Sequence, residues 1–490
     1  MKLADLLAGV ETLSVRGNLD VEIREIAYDS RRVGPGSLFV ALGGEQADGN
    51  DFVDQALRKG AAAVVSEREP APALTWVRVP SGRVALADLA ARFFDYPTRE
   101  LCLIGITGTN GKTTTAWLVE SLLRAAGFPV ALLGTIGYRG PGFSEPASLT
   151  TPEAPDLERR FRDAVNSGGT HAVMEVSSHA IAMDRVRGLE FDVAVFTNLS
   201  GDHLDFHGGM EEYFATKRKL FDGLGAPPPP FAVVNRDDPY GRRLHGRPNG
   251  TLITFGMDPE AAVFPRRMEF DWEGTRARFH TPRGDLEIVS RLIGRPNLYN
   301  VAAAIAVGVA LEMPDGAIAE GVRSLGGVPG RFERVDRGQE FRVIVDYAHT
   351  DDALMKVLLA AREITGGRLI VVFGAGGERD TSKRVRMGEV AARYSDVQIV
   401  TSDNPRREDP ERIIAMVAEG LRRESGKYSS IPDRRMAIRE ALGRARPGDT
   451  IVIAGKGHED YQIVGGSRLP FDDRAVAAEL IDELNAAKGC

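Results

Sequence analysis

The residues Thr107-Gly108-Thr109-Asn110-Gly111-Lys112-Thr113-Thr114 have the composition of a phosphate-binding loop and indicate an α/β fold. A buried-strand pattern over residues 101–106 precedes it, and a helical pattern follows over residues 113–126. Small residues let backbone N–H groups approach phosphate oxygens, and the N-terminus of the following helix adds partial positive charge. The stretch therefore predicts a nucleoside triphosphate site inside a βα unit.

Two side chains of this loop have chemical roles in such a site. Lys112 can reach the β- and γ-phosphates, and the hydroxyl of Thr113 can ligate Mg²⁺. The strict P-loop spacing has glycine at position 106, whereas this chain has Ile106 there and Gly105 one residue earlier. The loop is thus a variant that indicates a nucleotide without indicating the reaction. No Asn-Lys-x-Asp motif of a switch GTPase is evident, and a P-loop kinase acting on a small molecule stays open.

Strands alternate with helices along the chain, which predicts an α/β protein with mostly parallel, doubly wound sheets. The 490 residues have the length of about three domains. Breaks in the pattern near residues 95 and 330 predict domains over residues 1–95, 96–329 and 330–490. The predicted strands include residues 37–42, 61–65, 101–106, 171–176, 191–197, 231–235, 341–346, 369–374, 397–402 and 450–454.

The composition excludes several classes of protein. A formal net charge of −7 excludes a globally basic nucleic-acid binder. Two cysteines, Cys102 and Cys490, are too few for a disulfide framework or a cysteine-built zinc site. No apolar run approaches the ~18 residues of a membrane span, and Asp5 interrupts the segment that a signal peptide would keep apolar. We therefore expect a cytoplasmic protein with small-molecule partners, and neither a nucleic acid nor a membrane.

Polar residues follow two of the central strands. Glu175 lies at the end of the strand over 171–176, and His203 stands between Asp202 and Asp205 after the strand over 191–197. Ligands bind at the carboxyl ends of parallel strands, so Glu175 is well placed for Mg²⁺. A histidine near acids can be a metal ligand whose ring a carboxylate orients. Lys217 lies in a helical pattern, and composition alone predicts an exposed surface lysine there.

Six motifs in one order resemble those of the Mur ligase family of ATP-dependent amide-bond ligases. They are residues 107–114, 175–179 and 198–205, Gly330-Arg331-Phe332-Glu333, Asp346-Tyr347-Ala348-His349-Thr350 and Gly455-Lys456-Gly457-His458-Glu459-Asp460. Residues 29–31, 46–49 and 150–152 are most similar to the members that add the third residue of the peptidoglycan stem peptide. The resemblance implies a small α/β N-terminal domain for a UDP-sugar, a central P-loop ATPase-like parallel sheet and a C-terminal Rossmann-like domain for an amino acid.

The resemblance also implies a reaction that uses ATP and Mg²⁺. A carboxylate of UDP-N-acetylmuramoyl-L-alanyl-D-glutamate attacks the γ-phosphate of ATP, and the amine of meso-2,6-diaminopimelate then attacks the acyl phosphate. Phosphoryl transfer needs neutralised charge and positioning more than covalent help. The implied catalytic residues are Lys112, Glu175, His203 and Lys217. Thr113 and Glu175 would hold one Mg²⁺, and a second would be served by His203 and by Lys217, which the family carbamylates with CO₂.

Three sets of binding residues carry over by resemblance. Those for ATP are Gly108, Thr109, Asn110, Gly111, Lys112, Thr113, Thr114, Asn300, Arg331 and Asp346. Those for the UDP-muramoyl peptide are Ser30, Gln46, Thr150, Thr151, Ser177 and Arg185. Those for the amino acid are Arg379, Asp403, Asn404, Pro405, Arg406, Gly455 and Glu459. Met183 stands where the family often has glutamine, and its sulfur is only a weak acceptor. The family also suggests a monomer.

The tetrapeptide Asp403-Asn404-Pro405-Arg406 follows a predicted strand and offers both an anion and a planar cation. In the family this tetrapeptide marks the diaminopimelate-adding enzymes, which implies that Arg406 meets a carboxylate that L-lysine lacks. Sites built around a polar partner can reject such analogues by about 10⁴-fold. The alternatives left open are an L-lysine-adding Mur ligase, a folylpolyglutamate synthetase-like ligase and a non-catalytic nucleotide-binding regulator with a decayed ligase scaffold.

Overall fold

The computed structural model describes residues 1–44, 47–69, 75–244, 250–424 and 428–488 of the chain. Its first unit is a five-stranded sheet of order β1-β5-β4-β3-β2, parallel except for the pair of β1 with β5. Helices cover both faces of this small sheet, so its inner strands β3 and β4 are fully buried. The elements are α1 (Leu3–Leu6), β1 (Ser14–Arg16), β2 (Glu25–Ala27), β3 (Ser37–Val40), α2 (Val53–Arg58), β4 (Ala63–Ser66), β5 (Trp76–Arg78) and α3 (Gly82–Phe93).

The second unit is an eight-stranded sheet of order β13-β12-β11-β6-β10-β7-β8-β9. The six strands from β13 to β7 are parallel, and β8 and β9 add an antiparallel edge. The elements are β6 (Cys102–Thr107), α4 (Lys112–Ala125), β7 (Val130–Leu133), β8 (Gly137–Gly140), β9 (Phe143–Pro146), α5 (Ala154–Asn166), β10 (His171–Glu175), α6 (Ser178–Ala182), β11 (Val193–Phe196), α7 (Leu204–His207), α8 (Met210–Asp222), β12 (Phe231–Asn235) and β13 (Thr251–Phe255).

A separate antiparallel sheet follows the central one, and the parallel prediction does not include it. Its second and third strands alternate buried and exposed residues, as strands with one solvated face do. Helices α9 and α10 come next and pack with α4 on one face of the central sheet. The elements are β14 (Phe264–Phe270), β15 (Thr275–Thr281), β16 (Gly284–Ser290), α9 (Arg295–Ala310) and α10 (Asp315–Ser324).

The last unit is a six-stranded sheet of order β17-β18-β22-β19-β20-β21, parallel except for β17. Helices cover both faces, which confirms the predicted Rossmann-like layering. A hairpin, β23–β24, is added after β22. The elements are β17 (Glu333–Arg334), β18 (Arg342–Asp346), α11 (Asp351–Ile364), β19 (Leu369–Phe373), α12 (Ser382–Tyr394), β20 (Val397–Val400), α13 (Pro410–Glu424), β21 (Ser429–Ser430), α14 (Arg434–Arg444), β22 (Thr450–Ala454), β23 (Tyr461–Val464), β24 (Ser467–Pro470) and α15 (Asp473–Lys488).

Strand β6 lies in the middle of the central sheet and leads directly into the phosphate loop. Leu103 packs into the apolar cluster on one face of the sheet, and Ile104 and Ile106 pack into the cluster on the other face. Burial on both faces accounts for the continuous apolar run in the sequence. Strands β10 and β11 flank β6 in parallel, so all three carboxyl ends meet at one edge of the sheet. The predicted three-domain α/β fold is confirmed.

Helix α5, which packs against α3 of the first unit, carries a buried acid. Glu158 of this helix is only 1% exposed. Burial raises the pKa of Glu158 to about 8, so its carboxyl group binds a proton more tightly in the folded chain than in the unfolded one.

Stability should therefore fall as the pH rises from the unfolded pKa of Glu158 to about 8 and change little from this group above that. Glu158→Gln keeps the shape of the neutral acid and removes this dependence. We expect the free energy of unfolding of the variant, minus that of the parent, to be larger at pH 9 than at pH 5. Denaturant titrations at both pH values measure this difference. A parent and variant that respond equally to pH would contradict the neutral assignment.

Candidate active site

A cleft with a cavity volume of about 1030 Å³ opens at the carboxyl edge of the central sheet and extends to the last unit. Ligand pockets commonly measure about 300–1,000 Å³, so this cleft has room for a nucleotide and part of a second substrate. Many of the predicted site residues line it: Thr109, Asn110, Gly111, Lys112, Thr113, Thr114, Thr150, Glu175, Ser177, His203, Asn300, Arg331 and Asp346.

The phosphate loop has the tight backbone that its small residues predict. Gly108 has φ 146°, and a Cβ atom there would lie 1.9 Å from Thr197 Oγ1, so only glycine fits. Helix α4 begins at Lys112, directly after Gly111 at φ 86°. The Lys112 ammonium donates to the carbonyl oxygens of Gly108 at 3.0 Å and Thr109 at 2.9 Å. Burial lowers the pKa of Lys112, and phosphate oxygens beside it would favour its charged form again.

Glu175 is buried at the end of β10 and is held by Thr113 in the first turn of α4 and by Thr135 in the loop after β7. Its Oε2 accepts hydrogen bonds from Thr113 Oγ1 at 3.0 Å and Thr135 Oγ1 at 3.1 Å, and its Oε1 accepts from the Thr135 backbone at 2.8 Å. A Cβ atom on Gly134 would lie 2.3 Å from Glu175 Oε1, so the backbone approaches closely there. Adjacent hydroxyl and carboxylate oxygens are the ligands that Mg²⁺ prefers. Thr135 was not predicted.

Lys217 is 1% exposed, so the composition-based prediction of a surface lysine is wrong. Its ammonium donates to Gly108 O at 3.0 Å and lies 4.6 Å from the centre of the Tyr213 ring. Burial lowers its pKa well below the usual value, and the charge of Lys112 lowers it further. Tyr213, Lys217 and Leu220 share the buried face of α8 at helical spacing, and that spacing was the signal in the sequence.

His203 lies at the mouth of the cleft and is the N-cap of α7 at φ 55°. Its Nε2 is 3.4 Å from Asp202 Oδ2, and its ring contacts the ring of His179. Burial lowers the pKa of His203 to about 4, so the imidazole is neutral near pH 7 and keeps the lone pair that a metal needs. Within the described ranges, no group of three His, Cys, Asp or Glu side chains has the geometry to hold a metal ion.

The residues predicted to bind the nucleotide outside the loop come from α9 and the last unit. Asn300 Oδ1 accepts from Thr115 Oγ1 at 3.3 Å, which places this amide directly under the loop. Arg331 Nη2 is 3.3 Å from Thr113 Oγ1, and its guanidinium stacks on Tyr347 at 4.4 Å. Asp346 accepts the backbone N–H groups of Phe332 at 2.7 Å and Ala348 at 2.8 Å, and burial raises its pKa.

Three of the residues predicted for the UDP-muramoyl peptide form one network. Thr151 Oγ1 accepts the Ser177 backbone N–H at 3.1 Å, and Arg185 Nη1 donates to the Thr151 carbonyl at 3.2 Å. Thr150 Oγ1 lies 3.1 Å from Thr135 Oγ1, beside Glu175. Ser30 donates to Gln55 of its own unit at 3.1 Å. Gln46 lies outside the described residues.

Met183 occupies the position that departs from the family pattern. Its sulfur is 3.4 Å from Arg185 Nη2 and accepts a weak hydrogen bond from it. The Arg185 Nε atom also lies 2.8 Å from Glu153 Oε1, so the guanidinium forms an ion pair with this carboxylate, although Nε lacks the geometry of a hydrogen bond.

The predicted amino-acid residues meet at the carboxyl edge of the last sheet, outside the lining of the large cleft. Asn404 Nδ2 donates to Glu459 Oε2 at 2.8 Å, and Lys456 donates to both, at 3.1 Å to Asn404 Oδ1 and 3.0 Å to Glu459 Oε2. Asp403 Oδ1 is buried and lacks a hydrogen-bond partner among the described residues. A Cβ atom on Gly455 would lie 2.9 Å from Asp403 Oδ2. Lys456 was not predicted.

Two arginines stand beside this group. Arg406 adopts φ 55° after Pro405, and its guanidinium donates to the carbonyl of Gly377. A Cβ atom on Gly376 would lie 3.3 Å from Arg406 Nη1 and 3.9 Å from Arg379 Cγ, so both side chains flank one glycine. The backbone N–H of Arg406 donates to Ile463 O of the β23–β24 hairpin at 3.0 Å. No motif in the sequence indicates that this hairpin belongs to the site.

Among the helices of the described part of the chain, none has the length and apolar composition to span a membrane.

Comparisons with known proteins agree with this arrangement. The sequence matches the Mur ligase family, catalytic domain over residues 22–94, the Mur ligase middle domain over 106–308 and the Mur ligase, glutamate ligase domain over 330–457. A UDP-N-acetylmuramoyl-L-alanyl-D-glutamate--2,6-diaminopimelate ligase of Solibacter usitatus is 51% identical over 462 residues, 94% of each chain. One of Geobacter metallireducens is 46% identical over 508 aligned residues, 99% of each chain.

A solved structure gives the same result. The structure of a UDP-N-acetylmuramoyl-L-alanyl-D-glutamate--2,6-diaminopimelate ligase superposes with a TM-score of 0.70 at 31% identity, and the match covers 99% of both chains. The phosphate loop, the buried acid and lysine beside it and the three sheets thus occur together in a chain that matches known Mur ligases almost end to end. This chain belongs to the Mur ligase family.

Proposed function

We propose that the chain is an ATP-dependent ligase that joins UDP-N-acetylmuramoyl-L-alanyl-D-glutamate to meso-2,6-diaminopimelate in peptidoglycan biosynthesis. The observation that carries the proposal is the identity of 51% over 94% of the chain to a relative that bears the name of this activity. The pocket around Asp403 and Arg406 supports the proposal. It contains both a buried carboxylate and a guanidinium, and a zwitterionic amino-acid end requires one group of each charge. The setting that we propose is the cytoplasm.

The reaction begins with phosphoryl transfer at the loop. A carboxylate oxygen of the UDP-substrate bonds to the γ-phosphorus of ATP, and the bond from that phosphorus to the ADP oxygen breaks. Backbone N–H groups of the loop and the Lys112 ammonium neutralise the phosphate charge that develops. Arg331, 3.3 Å from Thr113 Oγ1, adds a second fixed cation on the side of the last unit.

The residues around Glu175 fit Mg²⁺. Thr113 Oγ1 and the Glu175 carboxylate present hard oxygens 3.0 Å apart. Thr113 and Glu175 would hold Mg²⁺ there, and the ion would supply positive charge that offsets the charge of the phosphates. His203 offers a neutral nitrogen toward a second ion, whereas the free amine of Lys217 is a poor ligand for this cation.

Carbamylation would make Lys217 a suitable ligand. Its lowered pKa favours the neutral amine, whose lone pair can bond to the carbon of CO₂ with loss of one proton. The product is a carbamate. A side chain that donates hydrogen bonds as an amine then carries two acceptor oxygens. We propose that Lys217 acts in this form.

The amine of meso-2,6-diaminopimelate then bonds to the acyl carbon, and the carbon–oxygen bond to phosphate breaks. Arg406 and Arg379 bind carboxylates of the amino acid, and Asp403 and Glu459 bind its ammonium group. Asn404, Pro405 and Gly455 shape the pocket around them. We further propose that Ser30, Gln46, Thr150, Thr151, Ser177 and Arg185 bind the UDP-muramoyl peptide, and that the domains are residues 1–95, 96–329 and 330–490 of a monomer.

Product analysis tests the proposed reaction against its alternatives. With ATP, Mg²⁺, the UDP-substrate and meso-2,6-diaminopimelate, chromatography should show the UDP-linked tripeptide and one ADP per amide bond. A small-molecule kinase would leave a stable phosphorylated product without any amine. A folylpolyglutamate synthetase-like ligase would extend folate with glutamate instead, and a decayed scaffold would bind ATP and release no phosphate.

A further inference from the structure

One carboxylate oxygen of the last unit accepts hydrogen bonds both from the phosphate loop and from the loop after β11. Asp352, in the first turn of α11, accepts hydrogen bonds at Oδ2 from Asn110 Nδ2 at 2.9 Å and from Ser200 Oγ at 2.7 Å. Lys356 Nζ donates to the same oxygen at 2.7 Å. Asn110 belongs to the phosphate loop, and Ser200 belongs to the loop after β11. Neither Asp352 nor Ser200 has a role in the reaction described above.

Both partners are fixed on the central side of this contact. The carbonyl of Asn110 accepts from Thr197 Oγ1 at 2.7 Å and from Asn198 Nδ2 at 3.0 Å, and its backbone N–H donates to Asn198 Oδ1 at 3.0 Å. The Ser200 backbone N–H donates to Thr109 Oγ1 at 3.0 Å. Hydrogen bonds between the phosphate loop and the loop after β11 therefore fix the backbone of both residues, and their side chains donate to Asp352.

Asp352 is equally fixed on its own side. Thr350 caps α11 by accepting the Ala353 backbone N–H at 3.3 Å, which sets the first turn of the helix. This turn directly follows the segment from Asp346 to His349 at the end of β18, and β18 pairs with β22, which leads into Gly455. A shift of the phosphate loop at Asp352 would thus be transmitted to the sheet that carries the amino-acid pocket.

The charge of Asp352 is balanced where it stands. A lone carboxylate beside the phosphate loop would repel the triphosphate, but Lys356 pairs with Asp352 at an i,i+4 spacing. The side chains of Asp352 and Lys356 are 23% and 36% exposed, so the pair is partly screened from solvent. The contact is therefore compatible with an anionic nucleotide in the loop.

We propose that Asp352 is a positioning residue that latches the amino-acid-binding unit onto the phosphate loop and couples nucleotide binding to amino-acid binding. The identity of the amino acid rests on the proposed function, whereas the latch itself rests on the contacts of Asp352. Coupling between sites is reciprocal, so the nucleotide should tighten the binding of the amino acid and the amino acid should tighten the binding of the nucleotide.

The test compares Asp352→Ala with Asp351→Ala in the full-length chain. Asp351 is the neighbouring residue, and it pairs with Arg386 at 3.0 Å within the same unit, so its loss leaves the latch intact. With a non-hydrolysable ATP analogue and Mg²⁺, small-angle scattering should give a larger radius of gyration for Asp352→Ala than for the parent and Asp351→Ala. The kcat/KM for meso-2,6-diaminopimelate should fall about 10-fold in Asp352→Ala alone, within the usual range of coupling between sites.

Asp352→Asn keeps an acceptor oxygen of the same reach, and we expect it to recover most of the loss. A merely structural residue would change the melting temperature instead, so equal melting temperatures for the variants are part of the expected result. Asp352→Ala and Asp351→Ala with the same scattering and the same kcat/KM would overturn the latch. The scattering uses no amino acid, so a parent chain that fails to use meso-2,6-diaminopimelate would overturn the proposed function and leave the scattering to decide the latch.

Discussion

Turnover with L-lysine is expected at a kcat/KM about 10⁴-fold below that with meso-2,6-diaminopimelate, because L-lysine lacks the carboxylate that Arg406 would bind. The guanidinium of Arg406 is half-buried beside Gly376 and Arg379, and its backbone is held at φ 55°. Without the carboxylate, the N–H groups of Arg406 that do not bind the Gly377 carbonyl would face a pocket from which water is partly excluded. Leaving charged donors without a partner in such a place costs free energy. Steady-state kinetics with both amines under identical conditions measure the ratio.

Variants of two adjacent arginines separate this effect from general charge. Arg406→Ala should lower kcat/KM for meso-2,6-diaminopimelate and shrink the discrimination against L-lysine to about 10²-fold or less. Arg407→Ala is the matched control, because Arg407 is exposed and next in sequence. Comparable kcat/KM for the two amines in the parent chain would contradict the role of Arg406.

The second large effect concerns the buried lysine. Lys217→Ala should lower kcat by about 10³-fold, as the loss of a group that stabilises developing charge commonly does. The variant would remove the proposed carbamate, whereas Thr113 and Glu175, whose oxygens lie 3.0 Å apart in the parent chain, would be unchanged. The measurement is ADP formation at saturating substrates.

The control and the rescue use the same helix. Lys219 is exposed on α8, and Lys219→Ala should leave kcat within about twofold. Formate or acetate in the buffer can enter the space vacated in Lys217→Ala and supply carboxylate oxygens, so part of the activity should return. Full activity in Lys217→Ala would show that the modified lysine has no catalytic part.

Much of the central unit could be predicted from the sequence because its signals are local. The apolar run of β6, the small residues of the loop and the start of α4 occur within one βα unit, and the structure places β6 at Cys102–Thr107 and α4 at Lys112–Ala125. Glu175 followed from its position at the end of a neighbouring strand. Parallel strands bring their carboxyl ends to one edge, and this geometric rule needs no knowledge of distant contacts.

The rest depends on contacts between segments far apart in sequence. Thr135 reaches Glu175 across 40 residues, and Asn110 reaches Asp352 across 242. No spacing rule links such pairs. The antiparallel strands β14, β15 and β16 lie outside the prediction although β15 and β16 alternate buried and exposed residues, because the alternation of strands and helices elsewhere in the chain favours parallel sheets. Lys217 was placed at the surface by composition, although its helical spacing from Tyr213 and Leu220 indicated the core.

We expect a substrate carboxylate to take the γ-phosphate of ATP before the amide bond forms. The UDP-substrate can be prepared with ¹⁸O in its terminal carboxylate and turned over with ATP, Mg²⁺ and meso-2,6-diaminopimelate. Transfer through an acyl phosphate carries one labelled oxygen into each phosphate released, because the carboxylate oxygen that bonds to phosphorus leaves with it. We predict singly labelled inorganic phosphate in mass spectra, in amounts equal to the amide product. Unlabelled phosphate would contradict an acyl-phosphate intermediate, because the amide bond would then have formed without one.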